Sequence, residues 1–186
     1  MAVDALTRLA RAARDGDTRA LENLVDGTYD QVWRLCAALV DEQSAGDLAQ
    51  ETFGRAVRSL PTFRGDSSAR TWLLAIARYS CVDELRSRSR RRRRDATLVS
   101  REAQVPDASQ DSVAADLLRR LEPARRTAFV LTQVLGLSYD EAAQVCGCPI
   151  GTIRSRVARA RIDLLDQIDA GHADRSAVAK TRPQEV

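Results

Sequence analysis

Apolar residues recur at steps of three and four along most of the chain and hardly ever alternate with polar ones. The stretch from Leu21 to Leu39 shows this spacing most clearly, because its apolar side chains fall on one side of a helix with about 3.6 residues per turn. Aromatic residues make up only 4% of the sequence, and the 44% of apolar residues suffice for a packed core. We therefore expect an all-α fold with almost no strand.

Start and stop signals divide the first half of the chain into helices. One helix is expected over residues 4–14, and a second is expected from Thr18, as its cap, through Leu39. A third starts near Ser44 and ends at Pro61, since proline lacks a backbone donor and clashes with the preceding turn. A fourth follows the loop 61–68 and runs into a dense group of arginines.

The helical spacing stops between residues 95 and 112, where Pro106 lies among several Asp and Ser residues. A segment of about 18 residues is too long for an ordinary loop inside one compact domain, so it predicts a flexible linker between two small helical domains. The expected division is a first domain over 1–94, the linker over 95–112, a second domain over 113–170 and a disordered tail over 171–186.

Positive charge is concentrated in one region. Residues 1–60 contain seven Arg against ten Asp and Glu, whereas residues 61–95 contain ten Arg against four. The densest part includes the candidates Arg86, Arg88, Arg90 and Arg91. By composition this run is a solvated helix end, a targeting patch or a phosphate-binding stripe, and the helix that leads into it favours phosphate contact.

The second domain contains the signature of a helix-turn-helix. Ser138 and Glu141 have capping-box spacing, and Gly147 suits the tight turn before another helix. In that last helix, the face opposite the apolar seam carries polar and small residues that suit a DNA major groove: Thr152, Ser155, Arg156 and Arg159, with Ala158 between them and Arg154 on the flank. The alternative is a solvated basic face on a structural helix.

Several classes of site are not expected. No apolar run approaches the roughly 20 residues that span a bilayer, and the N-terminus lacks a signal-peptide core, so we expect a cytoplasmic protein without membrane insertion. Cys36, Cys81, Cys146 and Cys148 are expected to be small buried residues, although a redox role stays open. A zinc site built on Cys146, Cys148 and His172 lacks the usual ligand spacing, and no metal or cofactor is expected.

Three segments, in order, resemble the extracytoplasmic-function (ECF) sigma factors. CGCPIGTIRSRVARAR looks like their recognition helix within a C-terminal domain, DLAQETFGRAV resembles their core-polymerase-binding segment, and FRGDSSARTWLLAIARYSCVDELR resembles their promoter-melting segment. Together the segments cover most of the chain. The resemblance implies a bacterial transcription initiation factor, not an enzyme, that binds RNA polymerase core and directs it to specific promoters.

The resemblance also implies roles for particular residues and partners. The last helix, with Gly151 at its start, would read the minus-thirty-five element. The clamp of the largest polymerase subunit would contact a helix face formed by Asp47, Leu48, Gln50, Glu51 and Phe53, although Phe53 is equally suited to the core. The flap of the second-largest subunit, promoter DNA and an anti-sigma factor are the other expected partners.

In the same family, the loop and the helix after it read the minus-ten element and open the strands. The candidates here are Phe63, Arg64, Ser67, Ser68, Thr71, Trp72 and Arg78, of which Trp72 is as well suited to the core as to stacking on a base. In the commoner family pattern a bulky apolar residue precedes Thr-Trp, and here Ala69-Arg70 stands in its place.

Two other classes of protein fit less well. A helix-turn-helix repressor or activator needs neither the DLAQETF segment nor the melting loop. A nuclease needs a carboxylate cluster that binds metal or a histidine-based site, and the sequence has one His and scattered acids.

Overall fold

A computed structural model of the chain describes the backbone of residues 4–98 and 113–180, and the side chains of residues 4–95 and 113–170. The first of these stretches contains five helices: α1 (Ala5–Arg14), α2 (Thr18–Asp26), α3 (Tyr29–Leu39), α4 (Glu42–Ser59) and α5 (Ala69–Leu98). The second stretch contains α6 (Val113–Arg120), α7 (Pro123–Phe129), α8 (Tyr139–Cys146) and α9 (Ile150–Lys180). No strand occurs in the described residues, which confirms the all-α prediction.

The single helix predicted from Thr18 to Leu39 is wrong, because the chain breaks at Gly27 and Thr28 into α2 and α3. The Thr28 hydroxyl donates to the Leu24 carbonyl at 2.6 Å, so a side chain satisfies a backbone acceptor at the end of α2. Thr28 is buried on the same side as the leucines. The three- and four-residue spacing of buried residues therefore continues across the break, and the spacing alone does not reveal it.

The predicted boundaries of other elements shift in the structure. Asp17 caps α2 by accepting from the Ala20 amide at 3.0 Å, so the cap lies one residue before Thr18. Helix α4 starts at Glu42, before the predicted Ser44, and ends at Ser59 beside a 3-10 turn that contains Pro61. Helix α5 extends to Leu98, beyond the predicted boundary at residue 94, and the rest of the predicted linker, 99–112, lies outside the described residues.

The segment assigned to a disordered tail also differs from the expectation in part. Helix α9 continues to Lys180, so residues 171–180 are helical, and residues 181–186 lie outside the described part. Within the described helices, none is long and apolar enough to cross a membrane.

The two domains pack against each other. Helices α3 and α5 of the first domain contact α7 and α8 of the second, and one cluster of buried apolar side chains continues across the boundary. At the edge of this contact, the Arg70 guanidinium donates to the Gln31 side chain at 2.5 Å and to the Leu135 carbonyl. The domains described here therefore form a closed arrangement with a shared core.

Arg126 is the one charged side chain buried in this closed arrangement among the described residues, at 8% exposed. Its Nε lacks a hydrogen-bond partner, and burial lowers its pKa, with the positive charge of Arg119 adding to the effect. The charge of Glu122 offsets this effect only in part, and an incompletely compensated buried cation stabilises a contact poorly. The interface thus includes a group that is better solvated when the domains separate.

Helix α4 is held in place by a polar cluster at its start. Asp41 caps the helix by accepting from the Ser44 amide at 2.7 Å, and it also accepts from Arg88 of α5 at 2.5 Å. Arg88 donates in turn to Glu84 at 2.7 Å. This cluster ties the first turn of α4 to α5.

The Asp41 cap predicts a pH-dependent stability. Partial burial acts to raise the pKa of Asp41, but the hydrogen bonds from Arg88 and Ser44 outweigh it and hold the pKa below its ordinary value of 3.8. The carboxylate therefore stabilises the fold above pH 3.8, and this contribution disappears as the pH falls through the lowered pKa. Asp41→Asn should cost about 1 kcal/mol in the free energy of unfolding near neutral pH and almost nothing in acid.

Urea denaturation of both proteins between pH 2 and pH 7 measures this difference. Glu22→Gln, which replaces an exposed carboxylate in α2, is the matched control and should change stability by less than about 0.5 kcal/mol at either pH. An Asp41→Asn effect of the same size at both ends of the range would contradict the charge-based account.

Candidate nucleic-acid interface

The predicted helix-turn-helix is present, and its turn chemistry is as expected. The Glu141 amide donates to the Ser138 hydroxyl at 3.2 Å, and the Ser138 amide donates back to the Glu141 carboxylate at 2.8 Å. Gly147 ends α8 with a φ of 62°, in the left-handed region that favours glycine. The capping box and this turn fix the direction in which α9 leaves α8.

Helix α9 has one buried and one open face along its first three turns. Ile153, Val157 and Ala160 are all 1% exposed or less and anchor the helix in the core. The opposite face is open to solvent at Gly151, Arg154, Ser155, Ala158 and Arg159. Thr152 and Arg156 are half-buried at its edge, and Arg156 approaches the Cys148 sulfur at 3.7 Å. The structure thus brings the predicted face together as one surface on a rigid helix.

The loop 61–68 places its candidates in two different environments. Phe63 is 5% exposed and belongs to the core, and the half-buried Trp72 packs against it with ring centroids 4.9 Å apart. The Thr71 amide donates to the Ser68 hydroxyl at 3.1 Å, and Thr71 is buried. Ser68 therefore caps α5.

Three other minus-ten candidates differ in exposure. Arg64 is exposed in the loop, whereas Ser67 is half-buried. Arg78 is half-buried on α5 near Cys146 of the second domain. The closed arrangement therefore covers part of the minus-ten candidate surface.

The predicted docking helix presents a narrower open face than its five candidates suggest. Asp47, Gln50 and Glu51 are exposed, whereas Leu48 is 5% exposed and part of the core. Phe53 is half-buried and stacks on Tyr29 at 6.1 Å between centroids. Asp47 and Gln50 therefore make the open face of α4 acidic and amide-bearing, while Glu51 pairs with Arg55 at 2.6 Å and Phe53 lies at the margin.

The arginine run is not uniform either. Arg86 and Arg90 are exposed, whereas Arg91 pairs with Glu84 at 3.0 Å. Arg88 forms ion pairs with Asp41 and Glu84. Of the four predicted phosphate-binding arginines, Arg86 and Arg90 are therefore the most available to a phosphate.

The cysteines lie as small packed residues. Cys36 and Cys81 are fully buried and in contact, and this contact together with burial raises the pKa of Cys81. Burial raises the pKa of Cys146 to about 11. Across the described side chains, no group of three or more His, Cys, Asp or Glu residues is placed to hold a metal ion.

Comparison with known proteins decides between the classes of DNA-binding protein. The family model described as Sigma-70 region 2 matches residues 24–91, and the model described as Sigma-70, region 4 matches residues 113–164. The ECF RNA polymerase sigma factor SigC of Mycobacterium tuberculosis is 47% identical over 167 residues, which cover 87% of this chain and 90% of SigC. This chain belongs to the ECF family of RNA polymerase sigma factors. The RNA polymerase sigma-H factor of Pseudomonas aeruginosa is 35% identical over 83% of this chain and 89% of its own length.

Solved structures agree with this family. CnrH, in complex with the cytosolic domain of CnrY, superposes with a TM-score of 0.72 at 29% identity over 90% of this chain and 99% of that chain. The sigma factor RpoE of Bartonella quintana, in complex with the anti-sigma factor NepR, superposes with a TM-score of 0.67 at 27% identity over 80% of this chain and 96% of that chain. Sigma factors initiate transcription and are not enzymes.

Sequence reasoning missed the part that α1 plays in this sigma factor. Helix α1 precedes the region 2 match, yet Arg14 donates to the Phe63 carbonyl at 3.2 Å and Thr7 accepts from the Ala69 amide at 2.8 Å. These contacts join residues 49 and 62 positions apart, and no local pattern in the sequence marks them.

Phe63 provides a test of how the loop is anchored. Because its ring is buried against Trp72, Phe63→Ala should lower the free energy of unfolding by about 3 kcal/mol, whereas Phe63→Leu should recover most of that loss. Urea denaturation followed by tryptophan fluorescence measures both. Arg64→Ala, at the exposed neighbour, is the control and should stay within about 0.5 kcal/mol of the wild type. A Phe63→Ala loss as small as that of the control would remove Phe63 from the core.

Proposed function

We propose that this sigma factor docks on the clamp of the largest polymerase subunit through the exposed face of α4. Asp47, Gln50 and Glu51 form the acidic and amide-bearing part of that face, and Phe53 is its apolar margin. A face of this kind suits a basic helical partner, because opposite charges orient the complex and one aromatic anchor adds buried area. Contact with the flap of the second-largest subunit by the second domain belongs to the same proposal.

In the same proposal, the open face of α9 reads the minus-thirty-five element. The main support is the geometry of that face. Arg154, Ser155 and Arg159 are exposed on one side of a helix whose other side is locked in the core. Arginine forms paired hydrogen bonds with guanine in the major groove, and serine bonds bases or phosphates. A recognition helix needs both features: a buried apolar side that fixes its position and an exposed polar side that contacts bases.

The loop 61–68 reads and opens the minus-ten element. Arg64 and Ser67 are its accessible side chains, while Phe63, Ser68, Thr71 and Trp72 hold the loop and the start of α5 in shape. Arg78 of α5 belongs to the same surface. Further along α5, Arg86 and Arg90 contact DNA phosphates. Arg88 and Arg91 add phosphate contacts when they exchange their carboxylate partners for phosphate. Unstacking a base costs a few kcal/mol, which a preformed loop offsets with new contacts.

Simultaneous contact with both promoter elements needs the domains apart. The names of the two elements place them about 25 base pairs apart, which is about 85 Å of B-form DNA at about 3.4 Å per base pair. A compact chain of 186 residues has a radius of gyration of about 16 Å. The closed arrangement therefore reaches only one element at a time, and the buried Arg126 lowers the cost of opening it.

An anti-sigma factor is the proposed regulator, and the cytoplasm, where polymerase and promoters are found, is the proposed location. RpoE of Bartonella quintana superposes on this chain in its complex with the anti-sigma factor NepR. A partner that binds the closed form keeps the α5 surface around Arg78 away from DNA, because that side already faces the second domain.

Run-off transcription tests the proposal. Purified bacterial core polymerase is mixed with this protein on fragments of its own genome, and the transcript starts are mapped. We expect new discrete starts that share a two-part upstream motif. Duplex binding without polymerase association and without new starts, in protein free of any copurifying anti-sigma factor, would instead identify a repressor or activator.

Arg159→Ala supplies the specificity variant of that experiment. Loss of one base contact should relax discrimination at one minus-thirty-five position by about 1 to 3 kcal/mol. Arg120→Ala removes an exposed arginine from α6 of the same domain and should leave that discrimination intact.

A further inference from the structure

One face of α1 touches the loop 61–68 and the start of α5. Thr7, Arg11 and Arg14 lie at steps of four and three, so they share a face of the helix, and Asp4 continues that face at the cap. Each of these four residues either contacts the segment 63–69 or holds a residue that does. Helix α1 lies outside the region 2 match, so the family model does not account for this face.

The first contact fixes the end of the loop. The Ala69 amide, at the first residue of α5, donates to the Thr7 hydroxyl at 2.8 Å. That hydroxyl donates to the Asp4 carboxylate at 2.7 Å, so Thr7 is oriented as an acceptor for Ala69. Thr7 is 4% exposed, and the hydrogen bond is therefore shielded from water.

The second contact covers the middle of the loop. Gly65 has a φ of 77°, and a Cβ built on it would lie 2.7 Å from Arg11 Nη2 and 3.0 Å from Arg11 Nε. The Arg11 guanidinium therefore packs directly on the Gly65 backbone, in space that any other residue would fill. The left-handed backbone favours glycine here, and any Cβ at this position would displace the Arg11 side chain.

The third contact holds the beginning of the loop. Arg14 Nη1 donates to the Phe63 carbonyl at 3.2 Å, while its Nε pairs with Asp15 at 2.9 Å. Together with the Thr7 contact at Ala69 and the Arg11 contact at Gly65, this hydrogen bond means that α1 contacts the loop near both ends and at its centre. The loop backbone adds one hydrogen bond near its start, from the Phe63 amide to the Leu60 carbonyl, and one at its end, from the Trp72 amide to the Ser68 carbonyl.

We infer that Thr7, Arg11 and Arg14 of α1 are positioning residues that hold the loop 61–68 in the shape that captures a base of the minus-ten element. This inference rests on the proposed function of that loop. A loop held in its bound shape loses less conformational entropy when DNA binds, and a fixed pocket discriminates between bases better than a mobile one. Helix α1 thus determines selectivity without contacting the base.

The alternative role for Arg11 is a direct contact with a DNA phosphate. A phosphate contact carries no sequence information, and its removal weakens binding on all sequences and lowers the salt dependence by about one counterion. A positioning role instead changes the ratio between the correct base and the other three. The two roles therefore predict different measurements.

The experiment uses the holoenzyme and a promoter identified by run-off transcription. Strand opening is followed by a fluorescent base analogue beside the captured position, on the natural promoter and on promoters with that base substituted. We expect Arg11→Ala to reduce discrimination between the natural and substituted bases by about tenfold, because small displacements of a binding group have large effects. Arg8→Ala removes an exposed arginine from the same helix and should keep the wild-type ratio.

Two further variants separate geometry from charge. Arg11→Lys keeps the positive charge but not the flat guanidinium, so it should not restore discrimination. Gly65→Ala displaces Arg11 without removing a charge and also strains the left-handed backbone of the loop, so it should lower discrimination at least as much as Arg11→Ala does. The double variant Arg11→Ala with Gly65→Ala should be less damaging than the sum of the two, because both act on one contact.

Three results bear on the inference. An equal loss on every sequence, restored by Arg11→Lys, would overturn it in favour of a phosphate contact. Unchanged opening and discrimination in both Arg11→Ala and Arg14→Ala would overturn it outright, provided that Arg64→Ala and Ser67→Ala still alter discrimination. If Arg64→Ala and Ser67→Ala also have no effect, the proposed function of the loop fails as well, and the two failures are thereby distinguished.

Discussion

Helix α5 is buried on two sides, and the positions of the candidate surfaces in the first domain follow from that packing. Ala69 and Leu73 pack with α1, α2 and the end of α4, while Leu74, Ala77 and Cys81 pack with α3 and with the second domain. All five side chains are 1% exposed or less. Because α5 cannot rotate without exposing one of these sides, the loop before it, α4 beside it and the arginines after it are held in fixed relation.

Local chemistry in the sequence predicted much of this arrangement. The capping box of Ser138 and Glu141, the left-handed Gly147 and the stop at Pro61 each depend on neighbours within a few residues, and the structure confirms them. The break at Thr28 was missed because a threonine on the apolar seam looks like a continuation of the helix. Contacts between distant parts of the chain, such as Arg88 with Asp41 and Thr7 with Ala69, leave no trace in the spacing of nearby residues.

The site shows the same division between local and distant information. Helical periodicity alone placed Arg154, Ser155 and Arg159 on one open face, because a single helix determines where they lie. Periodicity did not separate Arg64, which is open, from Phe63, which is buried, since a loop has no repeating direction. It also did not show that Arg88 is engaged with two carboxylates, which depends on how α4 and α5 pack.

Photo-crosslinking within the open complex tests the central claim, that two separate surfaces of one chain read two separate promoter elements. A photoreactive residue replaces Ser67 in one protein and Ser155 in another, and the crosslinked bases are mapped on the same promoter. The account predicts crosslinks from position 67 within the minus-ten element and from position 155 within the minus-thirty-five element. Crosslinks from both positions to the same element, or from position 155 to the melted region, would contradict it.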